Sequence, residues 1–464
     1  MITSNFLNYR IVIALLVSVV FGLSFTALIP IFNDHPSMLL ALPLAGMFFL
    51  MLVVNPRATF IVIFLTRPLL DLSLNLTKVG VGGQSIGFGA ILNLIVIALA
   101  GFLFFYEGGF PRKNPVVRGW VIFLVVMMIA VVDSPFAGRA IRLYANYLSY
   151  FAMFLIPFLI IKSREDFLFW VKIFAWSFVL PVLYANIDLL RGGDFYPDAG
   201  SRIKGSFSHP NVLAFYLCLG ITYYFYLLKS KILKFSPKVV MAIVIFVLNM
   251  VVLLLATKTR NAWIACFGVF FIYGLLRDRK VLLILFLLMP ALMFVPSVKD
   301  RVVTVFNGKG SLDYEGVNSF EWRLRMWTSS FPLIAKKPLQ GYGLTSFKEM
   351  SPLFSEGRSN MGAHNVYVET LFESGLIGLF AFLFLLFSSF QIFWNNMIKS
   401  VDQKLSGLWA VVVGYLVSYV LICFADNLSY YLALNWYVWF FIALMLISKR
   451  YMEPGERNST AVVN

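Results

Sequence analysis

Two short stretches hold two of the chain's three histidines in similar settings: Ser208-His209-Pro210-Asn211 and Ala363-His364-Asn365. Each follows a polar loop that bears arginine, and each opens a long apolar run. An imidazole exchanges protons near neutral pH. Asparagine is a favoured N-cap, so Asn211 and Asn365 are expected to cap the helices that follow. The first turn of a helix has free amides and a positive end, which suits phosphate. Two readings follow: interfacial capping, or an anion site with His209 or His364 handling a proton beside it. The third histidine, His35 in Asn-Asp-His-Pro-Ser, reads as part of a polar turn.

Charged residues gather around the same two places. Arg202 and Lys204 precede His209, and Lys258 and Arg260 occupy the turn Thr-Lys-Thr-Arg-Asn between two apolar runs. Such cations either snorkel to lipid headgroups or share a pyrophosphate, which the planar fork of arginine grips bidentately. Arg323 is placed to join them, whereas Arg325 reads as part of a solvated helix face. Glu369, Glu373 and Asp426 stand at or near span ends, either in interfacial pairs or orienting a histidine or an arginine. Arg67 and Asp71 are spaced i,i+4 and read as an internal ion pair. No carboxylates and histidines have metal-ligand spacing, and no phosphate-cradling nucleotide loop is present, so neither metal nor cofactor is expected.

The elements that must position these residues are membrane helices. Of 464 residues, 60% are hydrophobic and 13% charged, and mean hydropathy is +0.84. A span needs about 20 mostly apolar residues, and such runs recur at 11–31, 38–54, 59–74, 86–106, 117–132, 147–161, 167–190, 211–228, 239–256, 261–276, 281–298, 366–394, 408–425 and 430–448. The expected fold is an all-α polytopic transmembrane bundle of about 12–14 spans, forming one integral domain over residues 1–464. The run 11–31 reads as an uncleaved span. The run 59–74 is short and holds Arg67, Pro68 and Asp71, which suggests a broken or re-entrant element. Cys218, Cys266 and Cys423 lie inside apolar runs and read as small buried hydrophobes.

Charge sets the orientation. The net charge of +16 lies largely in one alternating set of loops, which the positive-inside rule makes cytoplasmic, along with both termini. Anionic lipid, not nucleic acid, is then the partner of that charge. The other set faces outward and holds both His-Asn motifs. It includes residues 299–363, the one large outer loop, with an amphipathic stretch at 319–335. There Glu321 lies in the first turns, and Trp322, Met326, Trp327 and Phe331 form a face that can rest on the bundle.

Four stretches, in order, resemble the bacterial O-antigen ligase / O-antigen polymerase family of membrane glycan transferases. They are RIKGSFSHPN from Arg202, TKTRNA from Thr257, RLRMWTSSFPLIAKKPLQGYGLTSF from Arg323 and AHNVYVETLFESGLIGL from Ala363. Together they span roughly residues 200–380. The resemblance implies an enzyme of the bacterial inner membrane with a periplasmic site. It implies a glycan donor linked to undecaprenyl pyrophosphate, with lipid A-core (ligase) or a second lipid-linked glycan (polymerase) as acceptor, and a chain-length regulator as a possible partner. Carried over motif by motif, Arg202, Arg260 and Arg323 grip the pyrophosphate and His364 assists the acceptor hydroxyl. Lys258 departs from the small residue usual there. Lys204, Lys258, His209, Asn211, Asn365, Glu373 and Asp426 are the remaining candidates for substrate contact. A flippase or other transporter is the rival class, but it would place its polar groups at mid-membrane and in two pseudo-symmetric halves.

Overall fold

The computed structural model describes residues 54–76, 79–81, 84–86, 88–108, 111–196, 200–292, 319–355, 360–400 and 402–452, with 294 and 299. The expected spans 11–31 and most of 38–54, and the turn at His35, lie outside the described residues. The described chain is an all-α bundle with two small hairpins. In order it runs α1 (Pro56–Leu76), β1 (Val79–Val81), β2 (Gln84–Ile86), α2 (Phe88–Glu107), α3 (Pro115–Val132), α4 (Ala137–Ile160), α5 (Arg164–Trp176) and α6 (Val179–Leu190). Then follow β3 (Asp194–Tyr196), β4 (Gly200–Arg202), α7 (Pro210–Ser230), α8 (Pro237–Ala256), α9 (Arg260–Leu276) and α10 (Arg279–Leu292). The last third holds α11 (Ser319–Lys336), the short α12 (Ser346–Met350), α13 (Val366–Lys399), α14 (Gln403–Cys423) and α15 (Leu432–Met452).

Among the described residues nine helices, counting α5 and α6 together, are long and apolar enough to cross a membrane. The expected runs 59–74, 261–276 and 281–298 correspond to α1, α9 and α10, which fall short of that standard by length or composition. Several starts share one local device. Asn114, His209 and Ser236 each cap a helix whose first residue is proline, where the missing N–H costs nothing. Ser163 and Asp166 form a reciprocal capping box at α5.

Helix α15 runs through the middle of the bundle. Its Tyr437 and Phe440 meet Phe64 of α1 at ring distances of 4.8 and 4.5 Å, and Trp439 meets Trp120 of α3 at 4.6 Å. The outer helix α8 instead exposes Met241, Ile245, Leu248 and Val252. Their spacing is one helical stripe, an apolar face suited to lipid.

Helix α1 is not broken. Pro68 lies inside it and cannot donate to Phe64 O, four residues back. The Tyr437 hydroxyl donates to that carbonyl instead, so the helix continues. Arg67 and Asp71 form the expected buried pair at 3.0 Å. One boundary is corrected, and one expected span is borne out with an interruption. The run starting at 147 begins ten residues earlier, at Ala137, because Arg139 and Arg142 hide the first turns from a hydropathy window. The run at 366–394 is one long helix, α13, interrupted at Gly375.

The two ends of the bundle differ in chemistry. At one end Lys229 pairs with Asp278, Arg277 donates to Met397 O and Ser406, and Lys449 donates to Asn396. At the other end lie the starts of α7, α9 and α13, with both His-Asn motifs. The basic loops and the motif loops therefore sit at opposite ends.

Candidate active site

The motif end is assembled on a turn of three residues, Ala425, Asp426 and Asn427, between α14 and α15. Asp426 is fully buried. Its carboxylate accepts from Asn211 Nδ2 at 2.8 Å and from the Tyr431 hydroxyl at 2.8 Å, and lies 3.7 Å from His364 Nδ1. Ala425 O accepts from Asn261 Nδ2 at 3.0 Å and from Arg323 Nη1 at 3.1 Å. Asn427 Oδ1 accepts from Asn365 N at 3.1 Å. One turn thus joins the starts of α7, α9 and α13 and the first turns of α11.

Charge in this cluster is balanced by proximity. Burial alone would raise the Asp426 carboxyl, but His364, the Tyr431 hydroxyl and Arg323 outweigh it and hold the group below its ordinary range. Burial lowers the Arg323 guanidinium; Asp426 and Tyr431 act against that shift, whereas neighbouring Arg260 adds to it. Burial and Asp426 keep the Tyr431 hydroxyl protonated, well above its usual range. Arg323, and Arg260 beside the Asn261 that shares its carbonyl acceptor, therefore lie near the buried Asp426 carboxylate.

Arg202 is a brace. It ends β4, whose pairing with β3 sets it opposite Asp194. Its Nε donates to Thr257 O at 2.7 Å, and its Nη2 donates to Asn211 Oδ1 and Thr259 Oγ1, both at 2.9 Å. Three donors of its fork are thus committed to the protein, and the side chain is buried. The loop after it is tied to α1: Ser206 Oγ donates to Pro68 O, and Asp71 accepts from the amide and hydroxyl of Ser208.

The two histidines differ. His209, not Asn211, is the N-cap of α7, its Nδ1 accepting from Asn211 N at 3.1 Å. The expectation that Asn211 caps this helix is corrected: Pro210 takes the first helical position, which puts the cap one residue before it. Asn211, inside the first turn, bridges Arg202 and Asp426 instead. At α13 the cap is Asn365, as expected, accepting from Tyr367 N and Val368 N. His364 precedes that cap, its ring edge-on to Trp322 at 6.2 Å between centroids.

Other candidates stand further out or deeper. Lys204 pairs with Asp194. Lys258 has a left-handed backbone, φ +52°, in the Thr257–Thr259 turn, and its amine reaches over Gly200. Glu373 is buried and accepts from Phe347 N at 3.3 Å, away from the Asp426 turn. It belongs to the break in α13. There Gly375 has φ +64°, and a Cβ on it would lie 2.1 Å from Leu339 O. The loop ahead of α12 fills the break, with Tyr342 N and Gly343 N donating to Phe372 O and Glu373 O, and Leu376 N donating to Pro338 O. The backbone groups freed at this interruption are thereby paired. Glu369, one turn above, accepts from Tyr430 Oη at 2.7 Å and Ala363 N at 3.3 Å.

The amphipathic helix α11 packs as expected through Met326 and Trp327, joined by Ile334, Phe347, Ala363 and Phe372, with Trp322 partly buried beside them. Phe331 is the exception: one turn on from Trp327, it is half exposed. Arg325 stands on an exposed helix face, as expected, and pairs there with Glu321 four residues back at 2.6 Å. The residues that sequence reasoning missed are Thr257, Thr259, Asn261, Asn427 and Tyr431. The first three lie inside or beside the stretch TKTRN and carried a signal, being polar groups in a tight turn between apolar runs. Tyr431 carried none, since aromatics are common throughout this chain.

Among the described residues no group of three or more His, Cys, Asp or Glu is placed to hold a metal ion. Three buried side-chain nitrogens in the cluster, Arg323 Nε, His364 Nδ1 and Asn365 Nδ2, make no hydrogen bond. Buried polar atoms are nearly always paired; His364 Nδ1 faces Asp426, which leaves Arg323 Nε and Asn365 Nδ2 as donors that a polar ligand could meet.

No curated protein matches the chain. Residues 245–383, from α8 into α13, match the family model described as O-antigen ligase. The match takes in Arg260, Arg323, His364 and Asn365 and leaves Arg202, His209, Asn211 and Asp426 outside it. The resemblance read from the motifs is borne out over this segment, which is similar to the O-antigen ligase family.

Proposed function

We propose that the cluster around Asp426 transfers a glycan from an undecaprenyl-pyrophosphate donor to an acceptor hydroxyl, as an O-antigen ligase does. The family match supports glycan transfer in O-antigen biosynthesis by a membrane glycosyltransferase-like enzyme. The observation that carries the finer reading is that Arg323, and Asn261 next to Arg260, both donate to the carbonyl of Ala425, in the turn whose carboxylate lies beside His364. With Nδ1 toward Asp426, the other ring nitrogen of His364 accepts the proton of the acceptor hydroxyl. The hydroxyl oxygen bonds to the anomeric carbon, the bond from that carbon to phosphate breaks, and its electrons leave with the pyrophosphate. Arg260 and Arg323 meet the charge that develops there. Arg202 serves by bracing the Thr257–Arg260 turn and Asn211. On this reading the site faces the periplasm, both termini are cytoplasmic, and no metal takes part.

A complementation experiment tests it. In a strain lacking the protein, Arg260→Lys should restore little more transfer than Arg260→Ala, because a point charge does not replace the fork. The loss expected from one such contact is about 2–4 kcal/mol in the transition state. Full transfer with the Lys variant would favour headgroup snorkelling. The same strain separates the two acceptor readings. Bare lipopolysaccharide with accumulated lipid-linked polymer means ligase; single repeats normally attached mean polymerase. Orientation is tested with Leu353→Cys, an exposed position in the large loop: it should react with an impermeant thiol reagent in intact spheroplasts. Labelling only after the membrane is opened would place the site on the other side.

A further inference from the structure

His364 has a left-handed backbone, φ +49°. Residues with a Cβ adopt that conformation rarely, and when they do the surroundings must hold them there. Lys231 also has positive φ, but it is the C-cap of α7, where the left-handed form is routine. His364 precedes an N-cap, where no local rule calls for it. The backbone of its two neighbours, Ala363 and Asn365, is held by side chains from three other places. Trp327 Nε1 of α11 donates to Ala363 O at 2.7 Å. Glu369 of α13 accepts from Ala363 N at 3.3 Å and is itself fixed by the Tyr430 hydroxyl at 2.7 Å. Asn427 Oδ1 accepts from Asn365 N at 3.1 Å. Ala363 and Asn365 are buried, as are Trp327 and Glu369. Gly362 closes the clamp, because a Cβ there would lie 2.3 Å from Asn427 Nδ2.

We propose that Trp327, Glu369 and Asn427 are positioning residues that clamp the backbone from Ala363 to Asn365 and so aim the imidazole of His364. The inference rests on His364 being the proton acceptor. Its consequence is that a strained backbone, not a side-chain contact alone, turns Nδ1 toward Asp426 and leaves the other nitrogen for substrate. Without the clamp the residue relaxes toward negative φ and the ring swings away from Asp426, while the fold remains. Misplacement of a catalytic group by about 1 Å is enough to cost on the order of 10²-fold in rate.

The test uses the small number of histidines. With only three in the chain, the full-length protein labelled with ¹⁵N-histidine gives ring signals that His35→Asn and His209→Asn assign by elimination. Trp327→Phe removes the indole donor, and Asn427→Ala removes the acceptor. Each should shift the His364 ring nitrogens toward those of a free, exchanging imidazole, leave the His209 signals in place, and lower transfer in complemented cells on the order of 10²-fold. Tyr223→Phe, which removes a buried hydroxyl bond to Val171 O elsewhere in the bundle, is the control for a merely weakened fold and should move neither. Unmoved His364 signals in both clamp variants would overturn the proposal, whatever happens to transfer. So would moved signals with intact transfer. His364→Gln then tells which premise failed: full transfer in that variant means His364 is not the proton acceptor at all.

Discussion

The starts of α7 and α13 use the same residue types one position apart, and the shift decides what each histidine does. At α7 the order is His-Pro-Asn, so the imidazole itself becomes the cap and its Nδ1 is occupied by Asn211 N. Its backbone is extended, φ −148°. At α13 the order is His-Asn-Val, so Asn365 caps and the histidine falls one residue outside the helix, in the left-handed region. There its Nδ1 makes no hydrogen bond and faces Asp426. With Nδ1 accepting as a cap, neutral His209 carries its proton on the other nitrogen and cannot accept one there; with Nδ1 turned to Asp426, His364 leaves its other nitrogen to accept. Asp426 serves both starts, through Asn211 on one side and His364 on the other.

The comparison breaks most sharply at His364. Glutamine there keeps hydrogen bonding and loses proton acceptance, so transfer should fall roughly 10²–10⁴-fold with little change in melting temperature. If His209→Gln caused that loss instead, the two roles would be reversed.

Asp426→Asn comes next. The new amide would present N–H either to Asn211 Nδ2 or to the Tyr431 hydroxyl and His364, leaving a buried donor unpaired, at a cost of about 1–3 kcal/mol in stability. The wild-type carboxyl is held below its ordinary range. Its stabilising contribution is therefore complete above about pH 4 and is lost as pH falls through the lower folded-state value. Thermal melts in acid should show that loss in the wild type and not in the Asn variant. Parallel acid limbs would mean that Asp426 is not the linked group.

Arg202→Lys sharpens the difference between brace and grip. Lysine cannot reproduce bonds to Thr257 O, Thr259 and Asn211 together, so stability should drop by about 1–3 kcal/mol along with transfer. Arg260→Lys should lower transfer alone. Equal melting temperatures for the two variants would remove the distinction drawn between them. The smallest effect is expected at His209→Asn. Asparagine is itself a strong cap, so both stability and transfer should stay close to wild type, with a change under about 0.5 kcal/mol.

Much of this architecture was legible without coordinates because its causes are local. An apolar run of helical length reports a span whatever it packs against. The four motif stretches and the opposed basic loops could likewise be read residue by residue, as could the Arg67–Asp71 pair, whose i,i+4 spacing needs only one helix. The start of α4 and the continuity of α1 were not legible for a definite reason: each depends on a partner distant in sequence or on charged residues that mask a helix from hydropathy. Tyr437 rescues Phe64 O across 373 positions.

The site shows the same division. The residue types in it, arginines, a histidine and carboxylates near span ends, were dictated by sequence, since each must lie where a membrane tolerates charge. Which of them brace and which face a ligand was decided only by tertiary structure. Arg202 and Arg260 look alike in the chain, yet one is committed to Thr257 and Thr259, 55 and 57 residues away. Asp426 acquires its role from Asn211, 215 residues away. A hydrogen bond of that reach has no periodicity and no neighbouring signature, so it exists as information only once the helices have packed.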